Sequence, residues 1–190
     1  SILVKYHSPL AGPRLSACLK CWIAAAILIA MTSASAAQQI VDEWRYTLRR
    51  PAGDWRSIEF DDSAWRKGNG GFGTRSTPGS RVGTVWATKS IWLRKVVKLQ
   101  AVPGKPALLI HHDEDAEVYI NGKKVDAFKG YTSKFKVVPI DPAKFKAIRR
   151  GDNLIAVHCK QTVGGQFIDV HLVDAENVPK LPKPKRGTKT

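Results

Sequence analysis

The sequence predicts an all-β protein, an antiparallel β-sandwich of the jelly-roll type. From residue 38 onward, short apolar or alternating segments recur about every ten residues, separated by turn residues, which is typical of a sandwich. Residues 91–99 alternate cleanly between apolar and polar side chains, as expected for a strand with one buried face. Asn121-Gly122 predicts a hairpin, because a type I′ turn needs positive φ at both central residues.

The chain is organised around residues 107–125. Two apolar runs, 108–112 and 116–120, flank the acidic connection Asp113-Glu114-Asp115 and are followed by Asn121-Gly122. We predict three successive antiparallel strands here, the first central in its sheet because it is apolar on both faces. The acidic turn should lie at one end of the sheet, where loops of all-β folds carry binding chemistry.

The other elements follow from shorter signals. Residues 43–50, 134–138, 154–160 and 166–173 are further predicted strands. Residues 68–84 contain six glycines and Pro78, which predicts a long irregular loop. Asp141-Pro142 predicts a helix that Gly151 ends, with Asp as the N-cap and Pro at the first position.

The N-terminal part has the order of a secretory signal. Basic residues precede an apolar run at 21–31, and Ala34-Ser35-Ala36 fits a small-residue cleavage site. This run is shorter than the roughly 20 residues that a spanning helix needs. We therefore predict a signal helix in a signal peptide at 1–36, with only transient membrane contact, an uncleaved anchor being the alternative. The module at 38–177 should then be secreted, periplasmic or at the cell surface.

The chain is strongly basic, with 31 Lys and Arg against 16 Asp and Glu and a net charge of +15. Five of the basic residues lie in the last eleven positions, and the others are scattered among strands. This distribution does not predict a nucleic-acid partner; the broader expectation is attraction of the tail to anionic polymers. The tail, residues 178–190, alternates Pro with Lys and has little apolar surface, so we predict that it is disordered.

The cysteines do not indicate a disulfide or a redox site. Cys18 and Cys21 form a C-x-x-C pair, but they lie in the predicted signal peptide and no second ligand pair follows. Cys159 is the one cysteine of the predicted mature chain, and a small apolar side chain on a strand is its expected role.

A set of short motifs carries a family resemblance. They are Phe60-Asp61-Asp62-Ser63 with Trp65, residues 91–95, residues 116–122, Gly130-Tyr131, residues 151–157, and Gly165 with Ile168-Asp169. In this order, over about residues 42–173, they resemble the galactose-binding-like jelly-roll module that precedes the catalytic barrel in family 2 glycoside hydrolases. The resemblance implies a sandwich associated with glycoside hydrolysis whose chemistry belongs to that barrel. Physically, Trp65 and Trp92 are expected to fill the core.

No assembled catalytic motif is present in the predicted mature chain. It lacks G-x-S-x-G, H-E-x-x-H and a phosphate-binding glycine loop between strand and helix. Asp113 and Asp115 lie on one turn and so cannot flank a glycosidic bond, which glycoside hydrolysis requires of its carboxylate pair. We therefore expect neither enzymatic activity nor a required cofactor.

The acidic connection is the candidate metal site. His111 and Asp113 share one strand face while His112 points to the other, so this cluster does not form a zinc site by itself. Carboxylates and loop carbonyls suit calcium, which modules of the resembled family often hold, and Asp113 and Asp115 are its candidate ligands. The alternative is that both residues only solvate a tight turn.

Three functions remain open. The first is a non-catalytic carbohydrate-binding module whose loops at one end bind the sugar through Trp86, Asp113, Asp115, Tyr131, Gln161 and Gln166. The second is a structural or partner-binding sandwich that packs against a hydrolase or a surface complex. The third is a metal-dependent enzyme using the His-Asp cluster.

Overall fold

The chain forms a β-sandwich, as the sequence predicts. A computed structural model describes residues 42–181; the predicted signal peptide at 1–36 and residues 182–190 of the predicted tail lie outside this range. Two sheets contain almost all of the regular structure between residues 42 and 181, with one short 3-10 helix. Over the same range, no helix has the length and apolar character needed to cross a membrane.

The described residues form eleven strands. They are β1 (Glu43–Thr47), β2 (Arg66–Asn69), β3 (Phe72–Gly73), β4 (Thr84–Val85), β5 (Ser90–Leu99), β6 (Pro106–Asp113), β7 (Asp115–Ile120), β8 (Lys123–Phe128), β9 (Lys136–Pro139), β10 (Gly151–Lys160) and β11 (Phe167–Asp174). Sheet A has the order β2-β1-β5-β10-β7-β8 and sheet B the order β4-β3-β11-β6-β9. All described pairs are antiparallel except β3 with β4.

The core lies between the inner faces of the two sheets. Because side chains alternate along a strand, every second residue of β5, β7 and β10 reaches it from sheet A, and those of β6 and β11 reach it from sheet B. Its fully or nearly fully buried members include Leu93, Val118, Val157, Leu108, Ile110 and Val170. Burying one such side chain stabilises the fold by about 1.5–3 kcal/mol.

Strand β6 is buried along its whole length, which confirms its predicted central position. Its inner face joins the core, while Ala107 and Leu109 on its outer face form a second small cluster with Val173. Phe135 and Leu181 pack on this cluster from outside. Leu181 belongs to the segment predicted as disordered, and its apolar side chain instead covers sheet B.

The connection from β6 to β7 differs from the prediction. The acidic residues do not make a hairpin: β6 pairs with β9 and β11 in sheet B, whereas β7 pairs with β8 and β10 in sheet A. The chain thus passes from one sheet to the other at Glu114. Strand β6 is buried along its whole length, whereas β7 has partly exposed residues at Asp115 and Glu117.

The second connection is the predicted hairpin. Ile120 pairs with Lys123 across a two-residue turn in which Asn121 has φ 48° and Gly122 has φ 81°. Positive φ at both positions is the geometry of a type I′ turn, so the Asn-Gly prediction is confirmed.

The predicted helix is shorter and tighter than expected. It is a 3-10 helix over Pro142–Ala147, with the Ala143 amide donating to the Asp141 carboxylate at 2.9 Å. Ile148 is already extended, so the helix ends before Gly151. The glycine-rich segment 68–84 is also more ordered than predicted, since β3 lies within it; a Cβ on Gly73 would overlap the carbonyl oxygen of Gln166.

Candidate functional site

A row of three side chains crosses the outer face of sheet A. Trp92 on β5 is paired with His158 on β10, and His158 is paired with Glu117 on β7. Paired residues project to the same face, which here is the face opposite the core. The Trp92 and His158 rings stack with centroids 4.7 Å apart and an interplanar angle of 13°.

A folded loop, residues 54–62, forms a wall beside this row. Arg94 of β5 holds it: its Nε donates to the Asp62 carboxylate at 2.7 Å, and its Nη atoms donate to the carbonyls of Ser57 at 2.8 Å and Phe60 at 3.1 Å. The Nη1 atom of Arg94 also donates a hydrogen bond to the Trp55 carbonyl. Arg94 lies on the polar side of the alternating pattern, yet it is only 3% exposed because the loop covers it.

Between the row and the wall lies a groove with a cavity volume of about 590 Å³. Trp55 reaches over from the wall and meets Tyr119 edge to face, with ring centroids 5.7 Å apart. The Arg56 guanidinium lies 5.4 Å from the centroid of the Tyr119 ring. Ser90, Arg50, Pro51 and Gly53 complete the lining.

The groove contains one carboxylate and one imidazole. Glu117 accepts from Lys124 Nζ at 2.5 Å and from the Tyr119 hydroxyl at 3.1 Å. These bonds, that from Lys124 foremost, lower the pKa of Glu117 although partial burial opposes them. Burial lowers the pKa of His158, despite the opposing charge of Glu117. At neutral pH the groove therefore presents an anionic acceptor beside an uncharged imidazole.

The loops expected to form the site do meet at one end of the sandwich. Asp113 forms an isolated bridge with Tyr131, and a Cβ on Gly165 would overlap the Asp113 carboxylate. The neighbouring Glu114 carboxylate accepts from the Thr162 hydroxyl. The acidic connection, the loop after β8 and the loop between β10 and β11 are thus in contact, as the sequence predicts.

Two of the six predicted ligand residues are corrected by their burial. Trp86 is 1% exposed and packs in the core, with its indole nitrogen donating to Thr88 Oγ1 at 3.0 Å, so no ring face is free for a sugar. Gln166 is 7% exposed and its amide donates to the Thr88 carbonyl at 2.7 Å. Both side chains fix the loop before β5.

Three of the other four predicted residues are more accessible, but two of these three are engaged locally. Tyr131 is 71% exposed, and the Gln161 amide donates to the Gly164 carbonyl at 3.2 Å. Asp115 accepts from Lys129 Nζ at 2.7 Å and from the Gly130 amide at 3.0 Å. Asp113 is the exception, since it is 7% exposed and thus as buried as Gln166; this burial, together with the adjacent Glu114 charge, raises its pKa.

These contacts bear on the predicted calcium site. Lys129 already neutralises Asp115, and a calcium ion needs six to eight oxygen ligands. The contacts of these carboxylates thus do not favour calcium, and its binding by Asp113 and Asp115 stays a prediction. His112 points away from His111, as predicted, with its Nδ1 at 2.8 Å from the Glu114 carbonyl and 3.0 Å from that of Gly130.

The groove itself was not predicted from the sequence. Trp92 stands out in the alternating segment 91–99, but its expected role was that of a core residue. Its partners His158 and Glu117 are brought beside it only by the register of three strands. One signal in the sequence points to this face. Trp92 lies between Ile91 and Leu93 in the alternating segment, so its side chain projects from the opposite face of the strand.

In a comparison with solved structures, the chain matches parts of larger enzymes. A glycosyl hydrolase family 2 member from Bacteroides cellulosilyticus DSM 14838 matches with a TM-score of 0.50 and 18% identity over 71% of this chain and 20% of that chain. A β-glycosidase from Bacteroides vulgatus matches with a TM-score of 0.45 and 17% identity over 70% of this chain and 19% of that chain. A Bacteroides uniformis β-glucuronidase matches with a TM-score of 0.46 and 17% identity over 72% of this chain and 18% of that chain.

The chain thus spans about a fifth of the length of these enzymes. At such low identity the first match indicates a shared fold and nothing about the site. No family model matches the chain, and no curated protein does.

Proposed function

We propose that this protein is a non-catalytic carbohydrate-binding module associated with glycoside hydrolysis, and that it binds sugar in the groove on sheet A. The observation that carries the proposal is the composition of the groove. Trp55, which is partly exposed, lines it together with Glu117 and His158, whereas Trp92 and Tyr119 contribute little surface because they are only 9% and 5% exposed. Its volume of about 590 Å³ falls within the roughly 300–1,000 Å³ typical of small-ligand sites.

The chemistry of the lining suits sugars. The apolar faces of a pyranose pack on aromatic rings, and sugar hydroxyls exchange hydrogen bonds with planar polar groups. Arg50 and Arg56 supply donors, and His158 supplies either a donor or an acceptor. Glu117 accepts with the lone pairs that its bonds from Lys124 and Tyr119 leave free. Among the lining residues Glu117 is the sole carboxylate, whereas glycoside hydrolysis uses two, so we propose binding without turnover.

A glycan array followed by calorimetry tests this proposal on the full chain. We expect weak binding, with a Kd on the order of 0.1–1 mM, or about −4 to −5.5 kcal/mol. His158→Ala and Glu117→Gln should each weaken binding at least fivefold, because both side chains face the groove. Uronic acid oligosaccharides and neutral ones should both be included, since two arginines lie at the rim.

The matched control variants are Tyr131→Ala and Asp115→Asn, at the end of the sandwich. They should leave binding unchanged if the sugar lies in the groove. Loss of binding in these two variants, with His158→Ala unaffected, would move the site to the loops. Absence of binding to any glycan by the folded protein would reject the carbohydrate function.

A partner-binding role is the second candidate, and the loop end favours it. Tyr131 is 71% exposed and Val163 is 74% exposed, and the loops that carry them are joined through Asp113 and Glu114. Exposed apolar side chains of neighbouring loops are the expected centre of a contact with another domain. Co-purification of a large hydrolase with the wild type, lost in a Tyr131→Asp and Val163→Asp double variant, would support this role.

Export remains part of the proposal, since residues 1–36 lie outside the described range. We propose a secreted, periplasmic or cell-surface location with cleavage near Ala36, on the charged, apolar and small-residue order of the N-terminal sequence. N-terminal sequencing of secreted material tests it. A mature chain that still begins upstream of Cys21 would contradict cleavage.

A further inference from the structure

A second cluster of polar side chains lies away from the groove, on sheet B. Asp169 and His171 alternate on β11 and therefore project from the same face of that strand. Asp42, just before β1, joins them. One carboxylate oxygen from each aspartate and one ring nitrogen of His171 all lie within 4.8 Å of one another.

Two atoms of this cluster are buried without a partner. Asp169 Oδ1 and His171 Nε2 lie 3.1 Å apart, yet neither makes a hydrogen bond among residues 42–181. Asp169 is only 9% exposed, so water does not readily satisfy it. An unpaired buried polar atom costs about 1–3 kcal/mol, and these two atoms, 3.1 Å apart, are close enough to share one further partner.

We propose that Asp42, Asp169 and His171 form a binding site for a divalent transition metal ion, with Zn²⁺ as the representative. Two carboxylates and one imidazole are a donor set that zinc and its neighbours accept, whereas calcium and magnesium prefer oxygen alone. Tetrahedral zinc bonds of about 2.0–2.2 Å place neighbouring ligand atoms about 3.3–3.6 Å apart, slightly more than the observed 3.1 Å separation.

Lys95 occupies one side of the same site. Its ammonium lies 2.5 Å from Asp42 Oδ1 and over the Trp44 ring, 5.6 Å from its centroid. This fixed positive charge competes with a metal ion for Asp42. Removing it should therefore strengthen metal binding, a result that a merely structural ion-pair cluster does not predict.

The experiment uses the full chain with Cys18→Ser and Cys21→Ser, which removes the thiolates outside the described residues that would bind zinc themselves. After treatment with a chelator, Zn²⁺ binding is measured by calorimetry, and Co²⁺ is used as an optical probe of the ligands. We expect one ion per chain and cobalt bands typical of nitrogen and oxygen donors. His171→Ala should weaken binding at least tenfold, and Lys95→Met should tighten it severalfold.

His158→Ala is the matched control, since it removes a histidine from the other sheet, and it should leave binding unchanged. Far-ultraviolet circular dichroism checks that each variant is folded; His171→Gln replaces His171→Ala if the latter is not. Equal affinity in the His171 variant, weaker binding in Lys95→Met, or no binding by the folded parent chain would each overturn the proposal. The site is independent of the groove, so either can fail alone.

Discussion

Asp62 and Arg94, 32 residues apart, meet at 2.7 Å on the outer face of sheet A. The guanidinium also binds the carbonyls of Ser57 and Phe60, so one buried side chain fixes the loop at four points when the bond to Trp55 is included. Because this loop is one wall of the groove, the ion pair links the stability of the fold to the shape of the candidate site.

Arg94→Ala should lower the free energy of unfolding by about 3–5 kcal/mol, because it leaves Asp62 and several carbonyls without their donor. Arg94→Lys should recover only part of this loss, since an ammonium cannot reach the same acceptors as the planar guanidinium. Chemical denaturation measures both. If Arg94→Lys were as stable as the wild type, the planar arrangement of the guanidinium N–H donors would contribute nothing to stability.

Asn121 should be more sensitive to substitution than the turn alone requires. Its side chain donates to the Ala147 carbonyl at 2.8 Å and to Asn153 Oδ1 at 2.9 Å, and it accepts from the Leu154 amide at 2.8 Å. Asn121→Gly keeps positive φ but loses these bonds, and should cost about 1–3 kcal/mol.

Asn121→Val loses the bonds and also strains the turn, which adds about 1–2 kcal/mol. Thermal or chemical unfolding of the two variants separates the contributions. If the two variants proved equally stable, strain at this φ would contribute nothing.

His158 should make the stability of the protein fall in mild acid. Its pKa is lowered, chiefly by burial, so the unfolded chain binds this proton more tightly than the native one. Stability therefore rises with pH through the interval below the ordinary value of about 6.5 and is lost as the pH drops below it.

His158→Gln should reduce this dependence, seen as a smaller difference in unfolding midpoint between pH 7.5 and pH 5. Tyr131→Ala, which removes an exposed side chain at the loop end, is the control and should leave the difference unchanged. The same pH dependence in His158→Gln and wild type would assign the effect to other groups.

His111 should tolerate an apolar replacement. It is fully buried, with both ring nitrogens lacking partners among residues 42–181, and it packs against Phe135 and Phe167 with ring centroids 5.6 Å and 4.7 Å away. His111→Leu removes the unpaired nitrogens and should raise the free energy of unfolding by about 1 kcal/mol. Denaturant titration at pH 7.5 measures the change.

His111→Ala is the comparison, because it removes the same nitrogens but leaves a cavity, which should cost about 2–5 kcal/mol. If His111→Leu were destabilised to a similar extent, the His111 imidazole would have to make a stabilising hydrogen bond that leucine cannot replace.

The sequence by itself determined the features that depend on neighbours in the chain. Asn121-Gly122 specified its hairpin because positive φ is a local property of those two residues. The apolar run of β6 indicated a strand buried on both faces, and Asp141-Pro142 marked the start of a helical turn, since burial pattern and capping are also read locally.

Only the tertiary structure decided which side chains meet. It placed β6 and β7 in different sheets, took Trp86 into the core and buried Arg94 beneath a loop, none of which alternation along one strand can show. The groove arises from the register of three strands that are distant in sequence, and Asp42 reaches β11 from the far end of the described chain. The physical reason is that binding sites need side chains to converge in space, whereas periodicity fixes only the face on which each one lies.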